Sequence, residues 1–308
     1  MSKFVIVIPS YNSSSYVEDC LKSVLNCRKI ELVDKVLLMD DASKDNTIEL
    51  AEKTWNYSKI PLVIHKNETN LGQWPNKNKA LSLIRPQYDW MLLLHADDLV
   101  REDWVDAMLK SIDDADWEPD VIFSECSHIQ PDGKISHRVG FTESMNLNIH
   151  RASASEEVRS ALYRGCYWRI SGSAFQLSVF DEVGEFSNKY PYAGDYYWFL
   201  RFLSKGKKVA YLPMSLLINR NHESSVAGQA HRSDTDIREF LAILSEYQEY
   251  VPKKYVLSNH IKKSVYVLRR IIGDSGRGVF KTFPMHMSTF SFILKNFIQA
   301  VSGRKQLD

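Results

Sequence analysis

The stretch that most limits what this chain can become is residues 89–99, Asp-Trp-Met-Leu-Leu-Leu-His-Ala-Asp-Asp-Leu. Residues 90–94 are apolar without a polar break. That suits a strand buried on both faces, as in a parallel sheet covered by helices. The run stops at His95, Asp97 and Asp98. Two adjacent carboxylates at the C-terminal end of a buried strand repel each other and call for water or a cation beside them. Open α/β sheets hold ligands outside the carboxyl ends of their strands. The strand is then scaffold, and its end is a candidate seat for a divalent cation. Taken alone, an Asp-Asp pair is more often a solvated turn, so the rest of the chain has to decide.

The rest alternates. Residues 4–8, Phe-Val-Ile-Val-Ile, predict a buried first strand ended by Pro9-Ser-Tyr-Asn12, because proline lacks a ladder donor and Ser and Asn form turns. A helix over 16–27 follows. Residues 36–39 predict a second buried strand, again ending in paired carboxylates, Asp40 and Asp41; Asp45 or Asn46 can cap the helix that runs to Trp55. Residues 62–65 read as a third strand, Asn70-Leu-Gly72 as a turn, and 73–83 as a helix with Pro75 in its first turn. A helix over 102–112, a strand over 121–124 and a hairpin tip at Pro131-Asp-Gly133 come next. This alternation predicts a doubly wound α/β sheet. A dinucleotide-binding sheet would show Gly-x-Gly-x-x-Gly after the first strand; that loop here has no glycine, and a P-loop is absent too. A cation on Asp97 and Asp98 would handle phosphate instead.

The second half is less regular. It predicts a tight turn at Ser171-Gly-Ser173, a helix opened by Gly194-Asp195, and two strands, 209–212 and 216–219, flanking Pro213. Helices follow over 235–250, 255–272 and 289–301. The expected organisation is a domain over 1–228 and a C-terminal helical extension over 229–308.

Net charge is +1 over 308 residues, so whole-chain charge gives no reason to expect nucleic acid. The distribution is uneven: residues 251–308 hold eleven Lys or Arg and two Asp, net +9, against net −8 for residues 1–250. A basic tail on an acidic body suits an anionic surface. Cys20, Cys27, Cys126 and Cys166 form no Cys-x-x-Cys pair and read as free thiols of a reducing cytosol. No signal peptide is visible, and no window reaches the ~18 apolar residues of a membrane span.

Seven pieces now stand in one order over about residues 4–225: Val7-Ile-Pro-Ser-Tyr-Asn12, Asp40-Asp-Ala-Ser-Lys-Asp-Asn-Thr47, Asn70-Leu-Gly72 with Asn78, His95-Ala-Asp-Asp98, Val183-Gly-Glu-Phe186, Gly194-Asp195 with Arg201, and Arg220-x-His222 with Ser224 and Ser225. In them the chain resembles the family 2 glycosyltransferases, inverting enzymes of bacterial surface polysaccharide synthesis. The resemblance implies a GT-A fold, a Rossmann-like mixed sheet. It implies nucleotide contacts from Pro9, Tyr11, Asn12, Asp41, Asn78 and Asp97, with Tyr11 against the base and Asp41 accepting from the N3–H of uracil or thymine. It implies Mg²⁺ or Mn²⁺ held by Asp97 and Asp98, with His222 a weaker candidate ligand, and Asp195 as the base that takes the acceptor's proton. The substrates would be a UDP- or dTDP-linked sugar and a hydroxyl of a glycan or lipid-linked oligosaccharide.

Two positions depart from the pattern. His95 stands where the family often has Asp; packing or a hydrogen bond is its favoured role, with ligation of Mn²⁺ the alternative. Gly194 stands where many relatives have Glu. The bland readings are an Asx turn to Ser43 for Asp41, a helix cap for Asp195, a structural pair for Arg201 and core packing for at least two of Trp74, Trp168 and Trp198, which could otherwise stack on sugars. The competing functions are a nucleotide-sugar or glycan-binding module without catalysis and a sugar nucleotidyltransferase, which would need an Arg-bearing Gly-rich loop that is missing. The tail is open to two roles: peripheral attachment to the inner face of the cell membrane, or packing and homo-oligomer contact.

Overall fold

The structure, a computed structural model, describes residues 2–56, 58, 60–113, 119–130, 133–136, 168–220, 222, 225–276 and 282–302. Cys166, Ser224 and Pro131-Asp132 of the expected hairpin tip lie outside the described residues. Four strands run parallel: β1 (Phe4–Ser10), β2 (Lys35–Asp40), β3 (Leu62–Lys66) and β4 (Trp90–Leu93). Between them lie α1 (Val17–Leu25), α2 (Thr47–Trp55) and α3 (Gln73–Ile84). The chain continues through β5 (Leu99–Val100), α4 (Trp104–Asp113), β6 (Val121–Ile129), β7 (Ile135–Ser136), β8 (Ser173–Gln176), α5 (Val179–Val183), α6 (Gly194–Ser204) and β9 (Val209–Arg220). Among the described residues the sheet order is β3-β2-β1-β4-β8-β6-β9-β5, with β7 on β6. It is mixed: β8 is antiparallel to β4 and β6, β6 is parallel to β9, and β5 is antiparallel to β9.

The core follows from the apolar pattern. Val5 to Ile8 and Leu92 are fully buried, and α1 turns Val17, Cys20, Leu21 and Val24 onto the sheet at helical spacing. Each such large side chain contributes about 1.5–3 kcal/mol relative to exposure. Chain order places β2 and β3 on one side of β1 and β4 on the other, so the strands diverge at β1 and β4. The crevice beyond their C-terminal ends is where such sheets bind ligands.

Both prolines expected to interrupt strands are accommodated inside them. Pro9 pairs with Met39 within β1. Val7 O accepts from Leu94 N on the β4 side and Ser10 O from Asp41 N on the β2 side, so alternation turns the Pro9 nitrogen toward β4, which ends at Leu93. No ladder donor is needed there. Pro213 lies inside one continuous β9, where the register jumps from Ser124↔Leu212 to Glu125↔Ser215; the irregularity absorbs it.

Gly172 makes the expected tight turn with φ +78°, and a Cβ there would meet the Leu217 side chain at 3.1 Å. Glycine is required on both counts. The turn presents Ser171 and receives the Trp104 indole N–H on the Gly172 carbonyl at 2.9 Å.

The chain forms two compact units that interleave along the sequence rather than dividing at one point near 228. The sheet unit holds described residues up to 136, then 168–188 and 205–220. The second unit joins residues 189–204, which carry α6, to α7 (Val226–Arg232), α8 (Thr235–Glu246), α9 (Lys253–Gly276) and α10 (Phe283–Ser302). The reason is packing: α6 buries Tyr196, Trp198, Phe199 and Phe202, and Tyr196 stacks on Phe240 of α8 at 4.9 Å. A buried ion cluster ties the later helices together. Asp234, fully buried with φ +57°, accepts from Arg270 Nη1 at 2.6 Å and from His286 Nδ1 at 2.7 Å. A buried carboxylate needs such donors.

Candidate functional site

The loops after β1 and β2 clasp each other. Asn12, with φ +48°, donates its backbone N–H to Ser43 Oγ at 2.9 Å and accepts from Lys44 N on Oδ1 at 2.9 Å. Ser13 N donates to Thr47 Oγ1 and Ser14 N to Asp45 Oδ2. Tyr11, at the top of this clasp, is 45% exposed and offers a flat ring to a ligand.

Asp40 and Asp41 divide two jobs. Asp40 Oδ2 accepts from Ser43 N at 2.9 Å, so the donor that the alternative Asx-turn reading gave to Asp41 is taken by its neighbour. Asp41 Oδ1 accepts from Asn67 Nδ2 at 2.8 Å and Leu71 N at 2.9 Å, and its Oδ2 accepts from Gly72 N at 2.9 Å. It thereby fixes the Asn70-Leu-Gly72 turn that starts α3. Asn78, expected at the nucleotide, spends both ends of its amide on the Phe186 backbone, donating at 2.8 Å and accepting at 3.0 Å. That is a peg between α3 and the segment after α5.

The end of β4 gathers the candidate metal ligands. One ligand atom from each of His95, Asp97 and Asp98 lies within 4.8 Å of the other two. Asp98 is buried; its Oδ1 accepts from Asn219 Nδ2 at 2.9 Å and from Arg220 N at 3.0 Å, both at the end of β9. Arg220 Nε also donates to the Asp97 carbonyl at 3.1 Å. His95 N donates to Ser171 Oγ at 3.1 Å, which anchors the loop to the Gly172 turn.

Among the described residues, Asp98 Oδ2 and His95 Nε2 are both buried without a hydrogen-bond partner. Burial, with the Asp97 charge beside it, pushes the Asp98 carboxyl up to about 7. Burial, then the Lys77 charge, lowers His95 to about 3, so its imidazole is neutral and able to ligate. An orphaned carboxylate oxygen and an orphaned imidazole nitrogen in one cluster fit a divalent cation, and a mixed N/O donor set suits Mn²⁺ at least as well as Mg²⁺. His95, expected to pack or hydrogen-bond, is therefore a member of the cluster. His222 belongs to the second unit, where its carbonyl accepts from Ser225.

Lys77 escaped the sequence reading. It is 4% exposed, with its ammonium 4.7 Å from the Trp74 ring centroid. The signal was present: Trp74, Lys77, Leu81 and Ile84 share the inward face of α3, and a lysine on an apolar face is an anomaly. Trp74, Trp168 and Trp198 are all at most 2% exposed and pack in the core rather than offering faces to a sugar.

In the second unit, Asp195 is the second residue of α6. The first helical hydrogen bond runs from Tyr197 N to Ala193 O, so Ala193 holds the cap position and the cap reading of Asp195 does not hold. Asp195 Oδ1 accepts from Tyr196 N at 2.7 Å. The backbone donors ahead of the helix, Tyr192 N and Ala193 N, go to Glu239 Oε2 of α8 at 2.9 and 2.7 Å. Burial raises the Glu239 carboxyl, and the nearby Asp195 charge adds to the shift. Nothing in the sequence links position 239 to 192; only the tertiary packing does.

The curated relatives and solved structures agree with this architecture. The chain is 30% identical over 103 residues to the poly(ribitol-phosphate) β-N-acetylglucosaminyltransferase TarS of Staphylococcus aureus, covering 33% of this chain and 18% of TarS. It is 32% identical over 96 residues to the abequosyltransferase RfbV of Salmonella typhimurium, covering 31% and 28%. This chain thus spans under a third of either relative's length. The structure of S. aureus TarS residues 1–349 with UDP-GlcNAc superposes with a TM-score of 0.70 at 19% identity, over 97% of this chain and 81% of that one. A mannosyltransferase of Pyrobaculum calidifontis with GDP-Man and Mn²⁺ gives 0.60 at 12% identity, over 99% and 88%. The fold is therefore that of a GT-A glycosyltransferase. The family model described as glycosyl transferase family 2 matches residues 5–158, half of the sequence and all of the carboxylate-bearing strand ends described above, and the chain belongs to that family.

Proposed function

We propose that the chain is an inverting, metal-dependent glycosyltransferase that moves a sugar from a UDP- or dTDP-linked donor to a hydroxyl of a bacterial surface glycan or its lipid-linked precursor. The observation that carries this reading is the His95, Asp97 and Asp98 cluster, with its orphaned donor atoms, at the strand divergence of β1 and β4. A Mg²⁺ or Mn²⁺ ion held there supplies Lewis-acid charge to the diphosphate. Lys77, buried near His95, adds a fixed cation on the same edge. Tyr11 and Asp41 take the base, through ring contact and the carboxylate lone pair that the Asn70–Gly72 turn leaves over. Asp195 removes the proton from the acceptor oxygen as that oxygen bonds to the anomeric carbon; the bond to the diphosphate breaks, and the diphosphate leaves with the electron pair. TarS with UDP-GlcNAc and the P. calidifontis enzyme with GDP-Man and Mn²⁺ support a nucleotide-sugar donor, and the former a uridine one.

The test is a thermal-shift and transfer panel over UDP-, dTDP- and GDP-sugars, with Mn²⁺ or excess EDTA. We expect stabilisation by one uridine or thymidine donor with metal, lost in Asp97→Asn. Asp195→Asn should keep that donor binding and lose ~10²–10⁴ in transfer rate. Full turnover in EDTA, or a near-normal rate for Asp195→Asn, overturns the reading.

A further inference from the structure

The sheet unit leaves the outer helices of the second unit unexplained. α9 buries Val256, His260 and Val267 on one side. The opposite side carries Ile261, Val265, Leu268 and Ile272, spaced four, three and four residues apart, which are 55%, 43%, 41% and 70% exposed. α10, packed against α9, repeats the arrangement, with Leu294 and Ile298 51% and 58% exposed. Exposed apolar stripes of this kind mark an interaction surface. We propose that this face docks on an anionic lipid bilayer, lying in the headgroup plane.

Charge chooses the occupant. Lys262 and Arg269, seven residues apart, are exposed along one edge of the α9 stripe by helical position, and Lys253 and Lys254 are exposed at its first turn. Residues 253–273 and the whole of α10 contain no Asp or Glu. A second copy docked on the same face brings together two helix pairs that carry cations and no carboxylate over these residues, which is repulsive. An anionic headgroup layer neutralises them while the acyl boundary takes the isoleucines, the arrangement of an interfacial amphipathic helix. Among the described residues no helix is long and apolar enough to cross a membrane, so the face lies on the bilayer instead of spanning it. Asp195 belongs to the same compact unit, which favours a lipid-linked acceptor over a free glycan.

The experiment uses the full chain and reads vesicle binding, so it fails or succeeds independently of any transfer activity. Flotation is measured with phosphatidylcholine vesicles, with and without phosphatidylglycerol, at low and high salt. Two variants accompany it, Ile261→Ser with Ile272→Ser, and Lys262→Glu with Arg269→Glu; all four side chains are exposed, and circular dichroism melting checks the fold. The expected result is binding to the anionic vesicles at low salt, about tenfold weaker at high salt and negligible on neutral ones. The serine variant should lose it, and the glutamate variant should lose the preference for anionic lipid. Absent binding to both vesicle types overturns the proposal. So does a stable dimer by light scattering that the serine variant dissolves, which would make the face a contact between copies.

Discussion

Asp41 shows how much one side chain can carry. A carboxylate offers about four lone-pair sites. Among the described residues Asn67, Leu71 and Gly72 occupy three of them, and the fourth is the one the proposed function gives to a ligand N–H. An amide at this position keeps one acceptor oxygen and sets an N–H₂ against backbone donors. With the oxygen kept on the Asn67 and Leu71 side, Asp41→Asn loses the Gly72 bond and should destabilise the protein by roughly 1.5–3 kcal/mol, the size of one charge-assisted bond, and weaken donor binding as well. Thermal denaturation and a donor titration check both effects; weaker binding with unchanged stability would mean that Asp41 serves only the ligand. Residues such as Asp97 and Asp98 are legible in sequence because adjacency and an apolar run mark them. Lys77 is half-legible, as a charge on the wrong face of a helix. Glu239 is illegible, since its partners lie 46 and 47 positions away with no periodic relation.

At the scale of elements, parallel strands and their helices follow from apolar runs, and their order follows from alternation. The short β5 and β8 do not: β5 has two residues, and β8, Ser-Ala-Phe-Gln, lacks the apolar run that marks the equally short β4. The prolines mislead for a related reason: a missing donor matters only if a neighbouring strand needs it, and neighbours are a tertiary property. Asn78 belongs to the same scale, because its amide holds α3 to the segment after α5. Asn78→Ala should cost about 1–3 kcal/mol by chemical denaturation, from two half-buried bonds to backbone, and leave the donor KM unchanged. A raised KM at wild-type stability would return Asn78 to the nucleotide.

The whole molecule is two units whose segments alternate, and this bears on any attempt to divide it. Removing residues after 228 takes away α8, and with it Glu239 and Phe240, the supports of the α6 start and of Tyr196. The fragment 1–228 should bind a hydrophobic dye, aggregate and show no transfer, measured against the full chain by light scattering and activity; a monomeric, active fragment would show that α6 stands without the bundle. The Glu239 anchorage has a consequence for how such a protein can diversify. Under the proposed function, donor contacts fall to loops of the sheet, while the helix bearing Asp195 takes its footing from the bundle. Mutational drift at one strand end would then retune the nucleotide without refitting the proposed base, whereas exchange of the bundle would force that base to be set anew. Donor and acceptor choice would be two separately heritable traits of one chain.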